Sequence, residues 1–356
     1  MKIRLFISNF LFQFPVGIVL IHGLFLRSND QNKLQYAIIA SMGVFAALQF
    51  GGTWIISWIK REYLMNPHFW MILRIVGGLL YLCESASIII LGAALMGFSQ
   101  ALYYRFTRQA VARIWRESKI QEQMYININL SSNLAFFILP PVGSVLSSIF
   151  NINVLMLGSL FLSTIGVYLI FDLLSGDNLK SYPLDSGSKI LPNLNGIINK
   201  REFSKDVFFL ASFVIPYGIM MALIPIRTKG EGLGIDTNAL LISFNAVLVI
   251  AVLSFKMLIT KLSPKTIVFD NKLLYFSLAA WALTIASAFL SFKFLFLSFI
   301  LWSILEALQL PAIEQHIFSQ RNYSNTWIDR LLVVDIVGGL IAPPFAAILS
   351  SVARLL

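Results

Sequence analysis

The sequence predicts an all-α membrane protein of about eleven transmembrane helices, arranged as two related six-helix repeats of which the second lacks its last helix. Three observations carry this expectation: an extreme composition, a succession of apolar runs of spanning length, and an internal repeat. Of the 356 residues, 58% are hydrophobic and only 12% are charged, with a mean hydropathy of +0.79. A soluble domain carries about 45–50% apolar and ~25% charged residues. A hydrocarbon core ~30 Å thick needs about 20 apolar residues per helix, so eleven spans take roughly 220 residues and leave no room for a separate soluble domain. A soluble enzyme, a disulfide scaffold and a disordered chain are excluded.

The apolar runs fall at about 4–26, 35–58, 69–86, 88–114, 122–149, 152–173, 207–226, 237–258, 272–290, 292–318 and 327–353. The first follows Met1, Lys2 and Arg4 in the manner of a signal peptide. It continues to Leu26 with no small-residue cleavage site, so it reads as an uncleaved first helix. The boundary between the third and fourth runs falls near Glu84 to Ser87. From about 174 to 206 the chain turns polar and rich in Ser, Asn, Gly and Lys. This stretch divides it into an N-terminal six-helix half (1–175), a central loop (176–205) and a C-terminal half of five helices (206–356).

The formal net charge is +10, yet the basic residues form no aromatic-interleaved patch, and a nucleic-acid partner is excluded. They sit in alternate loops instead. With the N-terminus in the cytoplasm, Lys and Arg favour the inner loops roughly three to one, as the positive-inside rule expects. Cys83 is the single cysteine, which excludes an intrachain disulfide and a cysteine-clustered metal site.

The repeat shows at two places. Residues 139–148 read LPPVGSVLSS and 342–351 read APPFAAILSS, while 100–109 read QALYYRFTRQ and 306–315 read EALQLPAIEQ. The offsets, 203 and 206, are nearly equal and in the same order. Carried back, the offset aligns the first span with the seventh, each with a mid-span proline, Pro15 and Pro216. Two sets of helices repeated in the same orientation are the plan of a rocking transporter.

This architecture resembles the major facilitator superfamily over the whole chain. Within it, the segment from Gly97 through the fifth span is similar to the fourth and fifth helices of proton-driven efflux carriers: Arg108, Gln109, Ala110, Pro140, Pro141 and Gly143 match. The chain departs from that pattern at Leu139, where a glycine is usual, and at Ala93, where an arginine is usual. The loop WIKREYLMNP keeps Lys60 and Arg61 but lacks the usual Asp. By the repeat offset a twelfth helix is expected after Leu356.

Ionisable residues within a membrane cost roughly 2.5–3.5 kcal/mol each on insertion scales, which makes them functional candidates. Glu306 lies about 14 residues into the tenth span, ~21 Å deep at the helical rise, on a helix that the resemblance places along the cavity. A carboxyl there suits a proton carrier; the alternative is a neutral, hydrogen-bonded Glu packing two helices. Arg105, Arg108, Glu314 and Asp335 lie within roughly 6–14 Å of the cytoplasmic end of their spans. Arg108 and Glu314 are repeat counterparts of opposite charge. They are candidates for an ion-pair gate across the halves, the alternative being pairing within one half or snorkelling.

Gln13, Gln100, Asn133, Tyr217, Asn245 and Gln309 are candidates to line a substrate cavity, with Tyr103, Tyr104 and Trp302 as possible stacking partners. Gly43, Ala47 and Gly51 on the second span, and Gly338, Ala342 and Ala346 on the eleventh, repeat every four residues and permit close helix approach; the resemblance sets those two helices against each other across the halves. Arg74 reads as a snorkelling residue and His22 as interfacial. No HExxH, GxSxG, Walker loop or acidic metal motif occurs, so neither a metal nor a cofactor is expected, and the chain is not expected to be an enzyme.

The resulting expectation is a secondary active transporter in a bacterial inner membrane, monomeric, using protons to export a small organic solute such as a drug-like compound or siderophore by alternating access. Two alternatives stand beside it: an importer of the same fold, and a shortened, transport-inactive relative with an interaction or sensing role.

Overall fold

Asn66 and Asn151 show how local sequence starts the helices. The Asn66 side chain accepts from the His68 amide at 3.0 Å, with Pro67 at the first helical position where no N–H is needed. Asn151 accepts from the Val154 amide at 3.0 Å. In this computed structural model, the described residues are 2–20, 22–26, 32–51, 66–114, 118–171, 200–262, 271–290 and 294–319, with 337, 338, 340–342, 344–346 and 348.

Ten successive helices follow the predicted spans: α1 (Lys2–Leu26), then α2 (Asn32–Gly51), α3 (Pro67–Tyr81), α4 (Ala86–Ile114), α5 (Ser118–Ser147), α6 (Ile152–Tyr168), α7 (Lys200–Gly230), α8 (Ile235–Leu262), α9 (Asn271–Leu290) and α10 (Leu295–Ser319). The described residues between 337 and 348 are helical and constitute α11. No strand occurs among the described residues. Among the described residues, five helices are long and apolar enough to cross a membrane by length and composition alone. The predicted break near Glu84 is present, between Tyr81 and Ala86. Most of the polar central stretch lies outside the described residues, and α7 begins at Lys200, earlier than its apolar run.

Pro15 interrupts α1, which widens into a π-helix over Pro15–Leu20 because proline offers no amide to the preceding turn. The Gln13 carbonyl accepts from both Val16 N and Gly17 N, at 3.1 and 2.9 Å. Close approach dictates the glycines around α4. A Cβ on Gly77 would stand 2.8 Å from the Gly92 carbonyl, and one on Gly97 would stand 2.6 Å from that of Phe45. So α4 lies backbone to backbone against α3 and α2.

Two apolar cores result within the first six helices. One surrounds Trp70, Tyr103, Phe106 and Tyr125; the other surrounds Val19, Tyr81, Met96 and Leu160. A third joins α7, α9, α10 and α11 around Leu223, Trp281, Phe299 and Trp302. A fourth, smaller cluster bridges the two sets: Ile126 of α5 with Val249 and Leu253 of α8 and Ala307 of α10. On α11, Gly338 stands against Val214 and Ile215, and Ala342 against Gly218, all of α7.

Candidate functional site

Arg74 stands at the middle of α3 and is only 3% exposed, which corrects the snorkelling expectation. The apolar run past Tyr81 made α3 look longer than it is, so the arginine seemed closer to an end. Its Nη1 donates to Gln100 Oε1 at 2.8 Å, its Nη2 donates to the Phe12 carbonyl, and its guanidinium lies 3.8 Å over the Phe12 ring. Packing α1 and α4 against α3 thus supplies acceptors and a π face that a single helix could not.

From there a polar chain crosses three helices. Gln100 Nε2 donates to Gln13 Oε1 at 3.4 Å, and Gln13 Nε2 donates to Tyr104 Oη at 2.8 Å. The Arg108 guanidinium sits 4.5 Å over the Tyr104 ring, while the Arg108 carbonyl accepts from Tyr125 Oη at 3.2 Å. Three predicted residues, Gln13, Gln100 and Arg108, are therefore brought together through Tyr104 and Arg74. Sequence reasoning missed a neighbouring pair on α1. Ser8 Oγ lies 2.9 Å from Tyr103 Oη, and Asn9 Nδ2 donates to the Ile128 carbonyl at 2.9 Å and to Ser131 Oγ at 2.6 Å. Consecutive polar residues inside an apolar run were the available signal.

The second polar set belongs to α7, α8, α9 and α10. Glu306 is 7% exposed and its Oε2 accepts from Asn245 Nδ2 at 3.5 Å. Ser303 Oγ lies 2.6 Å from both the Asn245 side-chain oxygen and the Phe299 carbonyl, so its single hydroxyl bridges α8 and α10 beside Glu306. Tyr217 meets Trp302 edge to face at 5.8 Å and stacks on Phe213 at 5.4 Å. Gln309 Oε1 accepts from Trp281 Nε1 at 3.0 Å, tying α9 to α10. Asn133 instead bonds within its own helix, donating to the Asn129 carbonyl at 2.9 Å.

Of the four gate candidates, Arg105 and Arg108 are buried in the last third of α4. Glu314 lies on α10 with its side chain outside the described residues, and Asp335 lies outside them altogether.

At the other end of the bundle, His22 is 0% exposed and is enclosed by α5 and α8. Its Nε2 lies 2.9 Å from the Pro140 carbonyl and its Nδ1 lies 3.5 Å from Asn238 Nδ2 of α8. A carbonyl only accepts, so the neutral tautomer with hydrogen on Nε2 satisfies both contacts. Further contacts join α1 and α5 to α7 and α8 there. Ser144 Oγ donates to Asp236, and Lys229 Nζ donates to the Leu24 carbonyl at 3.2 Å. Ser243 Oγ donates to the Phe137 carbonyl at 2.8 Å. That last carbonyl is the one Pro141, four residues on, leaves without its helical donor.

No family model and no curated relative matches the chain by sequence. Solved structures do match it by shape. A variant of the peptide transporter POT is 12% identical, with a TM-score of 0.70 over 99% of this chain and 91% of that one. The proton:xylose symporter XylE, of the major facilitator superfamily, is 12% identical, with a TM-score of 0.62 over 97% of this chain and 86% of that one. The human organic anion transporter MFSD10 is 12% identical, with a TM-score of 0.57 over 99% of this chain and 93% of that one. The chain is an all-α, multi-pass membrane protein with the fold of the major facilitator transporters.

Proposed function

We propose that the chain is a secondary active transporter that moves a small organic solute between its two helix sets, 1–175 and 206–356, with Glu306 carrying the coupling proton. One observation supports this above the others. Among the described residues Glu306 is the one acidic side chain that is buried, and it sits at mid-helix beside the Asn245 amide of α8. A carboxyl so placed gains and loses a proton with little other compensation, which lets protonation bias which way the solute path opens.

On this reading Arg105, Arg108, Glu314 and Asp335 close the N-terminal end of the path, and His22, Asn238, Ser144 and Asp236 close the other. The distribution of Lys and Arg and the likeness of α4 and α5 to efflux carriers support a cytoplasmic N-terminus in a bacterial inner membrane. They also support proton antiport that exports a drug-like compound or siderophore from a monomer. A second reading, proton symport, is favoured by Arg74, Arg105 and Arg108, all buried on the α3–α4 side. An anionic solute there and a proton on Glu306 would neutralise opposite charges and load together.

Reconstituted protein given a proton gradient and a panel of dyes, drugs and iron chelates tests the reading. Wild type concentrates a panel member, and Glu306→Gln exchanges it without concentrating it. Concentration by Glu306→Gln equal to that of wild type overturns the proton assignment.

A further inference from the structure

The polar chain Arg74–Gln100–Gln13–Tyr104 has a direction, and its buried end sets it. A guanidinium can only donate. Arg74 therefore holds Gln100 with its oxygen toward α3, which turns Nε2 to Gln13. Gln13 in turn presents its own Nε2 to Tyr104 Oη. With that hydroxyl oxygen already accepting, its proton is directed away from α1. Arg108 adds a positive charge over the same ring. One to two turns past the middle of α4, this wall offers an O–H donor and a cation side by side.

We propose that Tyr104 Oη and Arg108 form a subsite for a carboxylate, or a comparable anionic group, on the transported solute, with Arg74 as the positioning residue that fixes the donor polarity. The proposal rests on the transporter reading and names the solute class that the α4 wall of that path would meet. The required ligand group is a charged acceptor, because a carboxylate takes an O–H and a guanidinium donor together in charge-assisted hydrogen bonds. The Tyr217 ring, edge-on to Trp302, offers the apolar body of such a solute an aromatic surface. Reversing the chain would require Gln100 to turn its amide nitrogen toward a guanidinium, setting donor against donor.

The test uses full-length protein in detergent, with benzoate and phenylacetate against benzamide, phenylacetamide and benzylamine, read as the rise in unfolding temperature with probe concentration. The carboxylates are expected to stabilise wild type at concentrations at least tenfold below any effect of the amides or the amine. Tyr104→Phe removes that preference while keeping the ring beneath Arg108. Arg74→Lys, still a pure donor, keeps the preference. Arg74→Gln loses it with Tyr104 in place, and Gln13→Leu, which cuts the chain without touching the buried charge, serves if Arg74→Gln does not fold.

Equal binding of carboxylate and amide, no carboxylate binding, or a wild-type preference in Tyr104→Phe overturns the subsite. Counterflow in proteoliposomes separates the two readings. Gradient-driven movement of benzylamine or an amide with no carboxylate recognised leaves the transporter standing and removes the subsite. Carboxylate binding with no gradient-driven movement of any probe does the reverse.

Discussion

Gln100 and Glu306 are repeat counterparts, 206 residues apart at the middle of α4 and α10, and each is held by a hydrogen bond from a different helix. Arg74 of α3 donates to the first and Asn245 of α8 to the second. Charge has been exchanged between the partners. One repeat pairs a cation with a neutral amide, and the other pairs an acid with a neutral amide. The two sets therefore present opposite character to the layer between them.

Gln100→Glu places an acid against Arg74. The new carboxylate accepts from Arg74 but cannot donate to Gln13 when ionised, so the chain to Tyr104 is cut at that step. Binding of benzoate, measured by thermal shift, is expected to weaken about tenfold while the unliganded unfolding temperature holds or rises.

Arg74→Ala removes two donors at once and opens a void. The Gln100 oxygen and the Phe12 carbonyl are left buried without their partner, at about 1–3 kcal/mol each. Relief of burying the guanidinium offsets part of this. A net loss of about 2–4 kcal/mol is expected, visible as a lowered unfolding temperature.

Gly92→Val drives a branched side chain into the α3 backbone, where even a Cβ would stand 2.6 Å from the Gly77 carbonyl. The helices must separate, and a loss of about 3 kcal/mol or failure to fold is expected. Gly158→Ala meets no atom within 4 Å and is expected to leave the unfolding temperature unchanged, which makes it the control.

Ser144→Cys with Asp236→Cys, in a Cys83→Ser background that is otherwise free of cysteine, places two thiols where a hydroxyl and a carboxylate now touch. Oxidation is expected to link α5 to α8 and to stop solute counterflow, with reduction restoring it. Full counterflow in the linked protein would show that this end need not open.

The helices were legible because a bilayer imposes both their length and their polarity, so apolar runs alone locate α1 to α10 within several residues. Glu306, Gln13 and Gln100 were legible for the same reason, as polar groups deep in apolar runs. Arg74 was misjudged because what satisfies it comes from Phe12 and Gln100, residues 62 and 26 positions away, and no local pattern encodes that. The partners of His22 were hidden likewise, since they come from α5 and α8. The close approach at Gly77, Gly92 and Gly97 escaped notice because these glycines do not fall on one four-residue stripe.

The carbonyl of Phe137 belongs to one helix set and the hydroxyl that satisfies it to the other. Hydrocarbon offers no replacement partner, and a bare carbonyl in it costs several kcal/mol. Parting the sets at that point is therefore unfavourable against lipid tails and nearly free against water. Pro141, by withholding one amide, makes this seam a wetting-selective barrier, one that parts only where the aqueous phase follows it in.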